Sequence, residues 1–126
     1  RHNDSHKFES QFIGLTIPEN NSVMFGSLSG SKLGIWVAHG EGKFELPYAK
    51  ERYNIVAQYT YDAYPANPNG SPYGIAGIAS AMMPHLERAI FPWQCGHYPA
   101  DRKTDEITPW IEAFVNARKW VEQHTK

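Results

Sequence analysis

The sequence predicts an α/β domain, and three stretches carry that prediction. Residues 34–38 and 74–83 are runs of small and apolar side chains, the pattern of strands buried on both faces of a sheet. Residues 109 to about 124 are amphipathic and begin with Pro109, a residue suited to the first helical position. The 126 residues suffice for one compact domain or part of a larger one. With 41% hydrophobic and 20% charged residues, the chain is globular rather than disordered. A net charge of −1 gives no global basic signal for nucleic acid or a membrane surface. No apolar run approaches the roughly 20 residues of a membrane span. Cys95 is the only cysteine, which excludes an internal disulfide and a Cys-rich zinc site and fits a reducing cytoplasm. No signal peptide is visible, and a start at Arg1 without Met leaves room for residues upstream.

Taken in order, residues 1–10 are polar, with His2, Asn3, Asp4, Ser5 and His6 close together, and read as a solvated lead-in. Residues 12–17 alternate Ile13, Leu15 and Ile17 as a strand does, and Pro18 ends the run. Residues 20–22 are a loop. Residues 27–31 are a Ser/Gly turn, without a nucleophile elbow because Leu28 stands where its serine would be. Residues 34–38 read as a central strand that empties into 39–44, where Gly40 and Gly42 permit tight turning and close approach to a ligand. His39 and Glu41 have the His-x-Glu spacing of zinc deaminases, but one cysteine cannot supply the rest of that pattern. Cys95 and His97 could pinch a metal, though further ligands are not evident. Residues 54–61 are β-rich, and 64–72 are dense in turn formers, an ordered surface loop. Residues 91–93 form an aromatic stretch, and 101–106 a charged loop. Thr108 is placed to cap the final helix, whose Trp110, Phe114 and Val121, with Ile111 and Val115 beside them, suit a core or domain-packing face.

Residues 82–88 (MMPHLER) concentrate the chemistry. Pro84 removes a backbone donor and pushes the preceding residue toward an extended conformation, so the buried strand ends there. His85 and Glu87 follow at i and i+2, on the same side if the chain stays extended. A carboxylate that holds an imidazole by one nitrogen leaves the other free as a base, the base-and-orienter pair of a nucleophilic triad. A His two residues from a Glu is also common by chance. The position beyond a buried strand, where open α/β sheets place ligands, favours the chemical reading.

Four stretches in order, 34–44 (GIWVAHGEGKF), 64–71 (YPANPNGS), 82–88 (MMPHLER) and 109–121 (PWIEAFVNARKWV), resemble the C-terminal end of the phosphoribosylformylglycinamidine synthase family; the polar start, residues 3–9, does too. The resemblance covers nearly the whole chain. It implies the C-terminal portion, residues 1–126, of one class I glutamine amidotransferase domain, flavodoxin-like with a largely parallel sheet. Such domains hydrolyse glutamine through a cysteine thioester. The ammonia reaches a synthetase domain of the same polypeptide, where ATP and magnesium convert formylglycinamide ribonucleotide to its amidine. By resemblance, His85 is the triad base and Glu87 its orienting carboxylate. Leu86 stands where the family often has proline. His39 and Glu41 match a glycine-rich loop near the glutaminase site, and residues 67–71 another, neither with a catalytic role.

Two departures follow. The family's nucleophilic cysteine lies in an upstream elbow that these residues lack, and Cys95 stands in the wrong context, so a structural role is expected for it. The resemblance thus implies that the isolated chain does not hydrolyse glutamine and that its partners are glutamine, the nucleophile-bearing half and the synthetase domain. It implies no cofactor in this segment. The family also commonly has a polar turn before Met-Met-Pro-His, whereas Ser80-Ala81 here runs directly into Met82. Either that turn is deleted, or residues that belong there are missing and 74–83 is two strands. Two other readings stay open: an inactive piece that only docks, through its terminal helix and residues 91–93, and another class I amidotransferase.

Overall fold

The computed structural model describes residues 1–78, 81–82, 84–102 and 107–124. Five strands and one long helix organise them: β1 (Glu9–Thr16), β2 (Lys32–His39), β3 (Ile55–Tyr59), β4 (Ile75–Ile78), β5 (Ala81–Met82) and α1 (Ile111–His124). The sheet order is β2-β1-β3-β4-β5. The α/β class stands, with one correction. Every pairing between these strands is antiparallel rather than parallel. The physical reason is connectivity. A parallel pair needs a crossover, usually a helix, and the one α-helix among the described residues follows the last strand.

The backbone of the sheet is the β1–β2 pair, in register over eight residues from Glu9↔His39 to Thr16↔Lys32. Alternation in β1 turns Ile13 and Leu15 inward, and Ile35 and Val37 meet them from β2. Residues 34–38, expected as a central strand, lie instead in β2 at one edge of the sheet. A second correction concerns residues 74–83. They are not one strand. β4 and β5 pair with each other through Gly77↔Met82 and Ile78↔Ala81, so the chain reverses between them. Two separate strands are what the second alternative expected, with residues missing before Met82; Ala79 and Ser80, beside that junction, lie outside the described residues. β4 itself is buried as expected, with Ile75 and Ala76 fully covered.

The sheet is curled. Met82 sits in the β5 edge, yet His85, three residues later, bridges Trp36 in the β2 edge. Five flat strands would set those edges about 19 Å apart. Three residues reach at most about 11 Å. Curling lets the chain step from one edge to the other, and it is this step that delivers His85 to β2.

One core joins sheet and cover. Ile13, Leu15, Ile35, Val37, Val56 and Tyr59 pack with Phe25 and Leu28 from the β1–β2 connection and with Leu86, Ala89, Trp110 and Ala113 from the C-terminal third. The helix begins as its proline predicts, through a turn in which Glu112 N–H donates to Pro109 O. Thr108 does not cap it. Its hydroxyl donates to Ala89 O, tying the helix entrance to the segment after the His–Glu pair. The predicted apolar face is used in part: Trp110 is buried and donates from Nε1 to Gly34 O at 2.9 Å, whereas Phe114 and Val121 are exposed. No helix among the described residues is long and apolar enough to cross a membrane.

Candidate active site

His85 is placed from both sides. Its N–H donates to Trp36 O at 2.9 Å, an isolated antiparallel bridge to β2. Its backbone is extended, but the chain then tightens into a 3₁₀ turn over Leu86–Arg88 rather than staying extended. Leu86 is drawn into the core, and Glu87 is left outside. The turn still brings the pair together: Nδ1 of His85 lies 2.7 Å from Oε1 of Glu87. A carboxylate only accepts, so Nδ1 carries the proton of this contact, and in that tautomer the lone pair lies on Nε2.

Nε2 is exceptional among the side-chain nitrogens and oxygens of the described residues. It is buried and has no hydrogen-bond partner. Buried polar atoms are ordinarily paired, and an unpaired one asks for a missing partner or a chemical role. Glu87 responds to its neighbour. Partial burial pushes its carboxyl up, but the hydrogen bond from His85, one from its own backbone and the attraction of His85, when its ring is protonated, and of Arg88 outweigh this and hold it below its ordinary range.

The ring of His39, the last residue of β2, stacks on that of His85, with centroids 5.0 Å apart and planes 12° from parallel. His39 heads a glycine-rich loop whose anchor is Asn3, a residue expected to be solvated and in fact fully buried. Asn3 Nδ2 donates to His39 O at 2.6 Å and to Lys7 O at 2.8 Å, while its Oδ1 accepts from Gly42 N–H and from Asn69 Nδ2. Asn69 Oδ1 in turn accepts from Tyr59 Oη at 2.8 Å. Ser71 and Asn67 complete the junction: Phe44 N–H donates to Ser71 Oγ, and Asn67 Nδ2 to Ser71 O. Gly42 is needed where it stands, because a Cβ there would come within 2.6 Å of Asn69 Nδ2. Thus residues 39–44 and 67–71, two separate loops in the sequence, become one structure, locked by the N-terminal segment. Composition gave no sign of Asn3 or Tyr59; the likeness of residues 3–9 to the family's polar start was the one available signal.

Cys95 is not brought to the pair. It is half-buried and lines a cavity of about 430 Å³ with Phe12, Leu33, His97 and Trp110, to which neither His85 nor Glu87 contributes. Burial pushes its thiol up, away from the thiolate a nucleophile needs. Among the described residues, no three metal-binding side chains gather at one point.

Known proteins resemble this chain in sequence and in fold. Residues 1–121 match the CobB/CobQ-like glutamine amidotransferase domain. The chain is 40% identical over 141 residues to a probable phosphoribosylformylglycinamidine synthase, chloroplastic/mitochondrial, of Arabidopsis thaliana, covering 96% of this chain and 10% of that protein. It is 37% identical over 138 residues to the phosphoribosylformylglycinamidine synthase of Homo sapiens, covering 95% of this chain and again 10% of the relative. Both aligned lengths exceed the chain itself, so these relatives carry additional residues within the matched region. The solved structure of PurLQS from Thermotoga maritima superposes with a TM-score of 0.69 at 26% identity, over 95% of this chain and 51% of that one. The chain belongs to the CobB/CobQ-like glutamine amidotransferase domain family.

Proposed function

We propose that this chain is the His/Glu-bearing portion of the glutaminase domain of a phosphoribosylformylglycinamidine synthase, with His85 as catalytic base and Glu87 as its orienting carboxylate. One observation carries the reading: an imidazole fixed at Nδ1 by a carboxylate 2.7 Å away, with Nε2 buried and unpartnered. Membership of the glutamine amidotransferase family supports the substrate, glutamine, and the names of its relatives support the synthase.

The base acts on a thiol that these residues do not supply. Nε2 takes the proton of an incoming cysteine, and the thiolate attacks the glutamine amide carbon. The tetrahedral intermediate collapses to a thioester as His85 returns the proton to the departing ammonia. His85 then deprotonates the water that hydrolyses the thioester. Glu87 holds the tautomer and steadies the imidazolium. A separate cavity and a thiol pushed up by burial argue against Cys95 as that nucleophile. The 126 residues alone are therefore inactive, and the nucleophile-bearing half and the synthetase domain are the partners. ATP and magnesium serve that other domain, and the setting is cytoplasmic.

Glutamine hydrolysis, read as glutamate released, tests this. The complete polypeptide turns over glutamine, its His85→Ala variant loses about 10³-fold or more in kcat, and the 126-residue chain is silent. Turnover by the 126 residues alone, or full activity of His85→Ala, overturns the reading.

A further inference from the structure

We infer that His39 is a positioning residue for His85, and that the buried Asn3–Asn69 junction exists in part to hold it there. The inference rests on the glutaminase reading and deepens it. Glu87 grips the imidazole at Nδ1 only. One hydrogen bond to a side chain that is itself 65% exposed fixes a point on the ring, not its plane. A flat neighbour fixes the plane. The His39 ring lies 5.0 Å away and 12° from parallel, so tilting His85 drives one ring into the other.

Among the described residues, two constraints on His85 beyond Glu87 come from one strand. Trp36 O, in β2, accepts the His85 N–H, and His39, three residues on, carries the stacked ring. The far end of that strand is fixed in turn. His39 O accepts from Asn3 Nδ2, and Asn3 is bonded to Asn69, which is bonded to Tyr59 in β3. Asn3 and Asn69 are fully buried, which makes these bonds hard to exchange for water. The loops at 39–44 and 67–71 thus orient the base without touching the reacting atoms. A ring plane wrong by tens of degrees misdirects the Nε2 lone pair, and misplacement of about 1 Å costs on the order of 10²-fold in rate.

The test uses the complete polypeptide and three substitutions. His39→Ala removes the ring, His39→Phe keeps a flat ring of similar size, and His85→Ala reports on the glutaminase reading itself. The expected result is a kcat for His39→Ala reduced about tenfold, with KM for glutamine within about twofold of wild type and with His39→Phe restored to within about threefold. A merely structural role would not show that rescue confined to kcat. Should His39→Ala melt below the assay temperature, His39→Leu, with bulk but no flat ring, takes its place with the same expectation. Wild-type kcat in the ring-less variant, or equal loss in it and in His39→Phe, overturns the inference while an inactive His85→Ala leaves the glutaminase reading standing. A fully active His85→Ala overturns both.

Discussion

Two polar clusters lie on either side of His39, and they are built on opposite terms. The Asn3–Asn69–Tyr59 junction is buried, and each of its side-chain amide groups is bonded. The His85–Glu87 pair rests on one hydrogen bond, with its carboxylate in solvent and its second imidazole nitrogen buried and unpaired. Saturated polar contacts give a region one shape; an unsaturated one keeps a valence for a reactant. The same molecule therefore holds polar residues for architecture and for chemistry a few residues apart, and the hydrogen-bond census tells them apart where residue type does not.

The sharpest way to break the contrast is at the saturated side. Asn69→Ala leaves Tyr59 Oη and Asn3 Oδ1 each short of a partner in the interior. Chemical denaturation of the complete polypeptide should show a loss of about 2–4 kcal/mol in the unfolding step of this domain. A loss under about 0.5 kcal/mol would mean water fills the junction freely. Next in size, Gly42→Ala pushes a methyl against Asn69. It should cost about 1–3 kcal/mol by the same measurement, and Asn69→Ala should relieve part of that, since it removes the atoms that clash.

The smallest effect belongs to the unsaturated side. The Glu87 carboxyl is held below its ordinary value of 4.5 in the folded chain. Ionisation therefore stabilises the fold above that pH, and the contribution disappears as pH falls below it through the folded value. Because the carboxylate is mostly exposed, the effect stays under about 1 kcal/mol. Wild type and Glu87→Gln should differ slightly at neutral pH and converge toward pH 3. A gap that widens on acidification would contradict the pairing.

Much of the site was legible because its parts are local. The i, i+2 spacing put His85 and Glu87 together, although a 3₁₀ turn rather than an extended chain joins them. Alternation revealed β1, a short apolar run β2, and Pro109 the start of α1 to within two residues. What failed was non-local. The composition of 74–83 does not distinguish one strand from the paired β4 and β5, because no polar turn interrupts it; only the family's turn at this place raised the two-strand reading. The edge position of β2 and the antiparallel pairing depend on partners far along the chain. Asn3 sits among charged and polar neighbours that are typical of a solvated tail, and its contacts with His39, Gly42 and Asn69, 36, 39 and 66 residues away, show otherwise.

The partnerless Nε2 of His85 has a consequence for assembly. Its hydration is already lost in the folded chain, so a donor that docks against it gains a hydrogen bond without a further desolvation cost on this side. Such a recovered bond is worth about 1–3 kcal/mol, or about 5–150-fold in an association constant. The nitrogen proposed as the base would thus also act as an adhesive, favouring, among surfaces that could pack here, one that brings a hydrogen-bond donor to it.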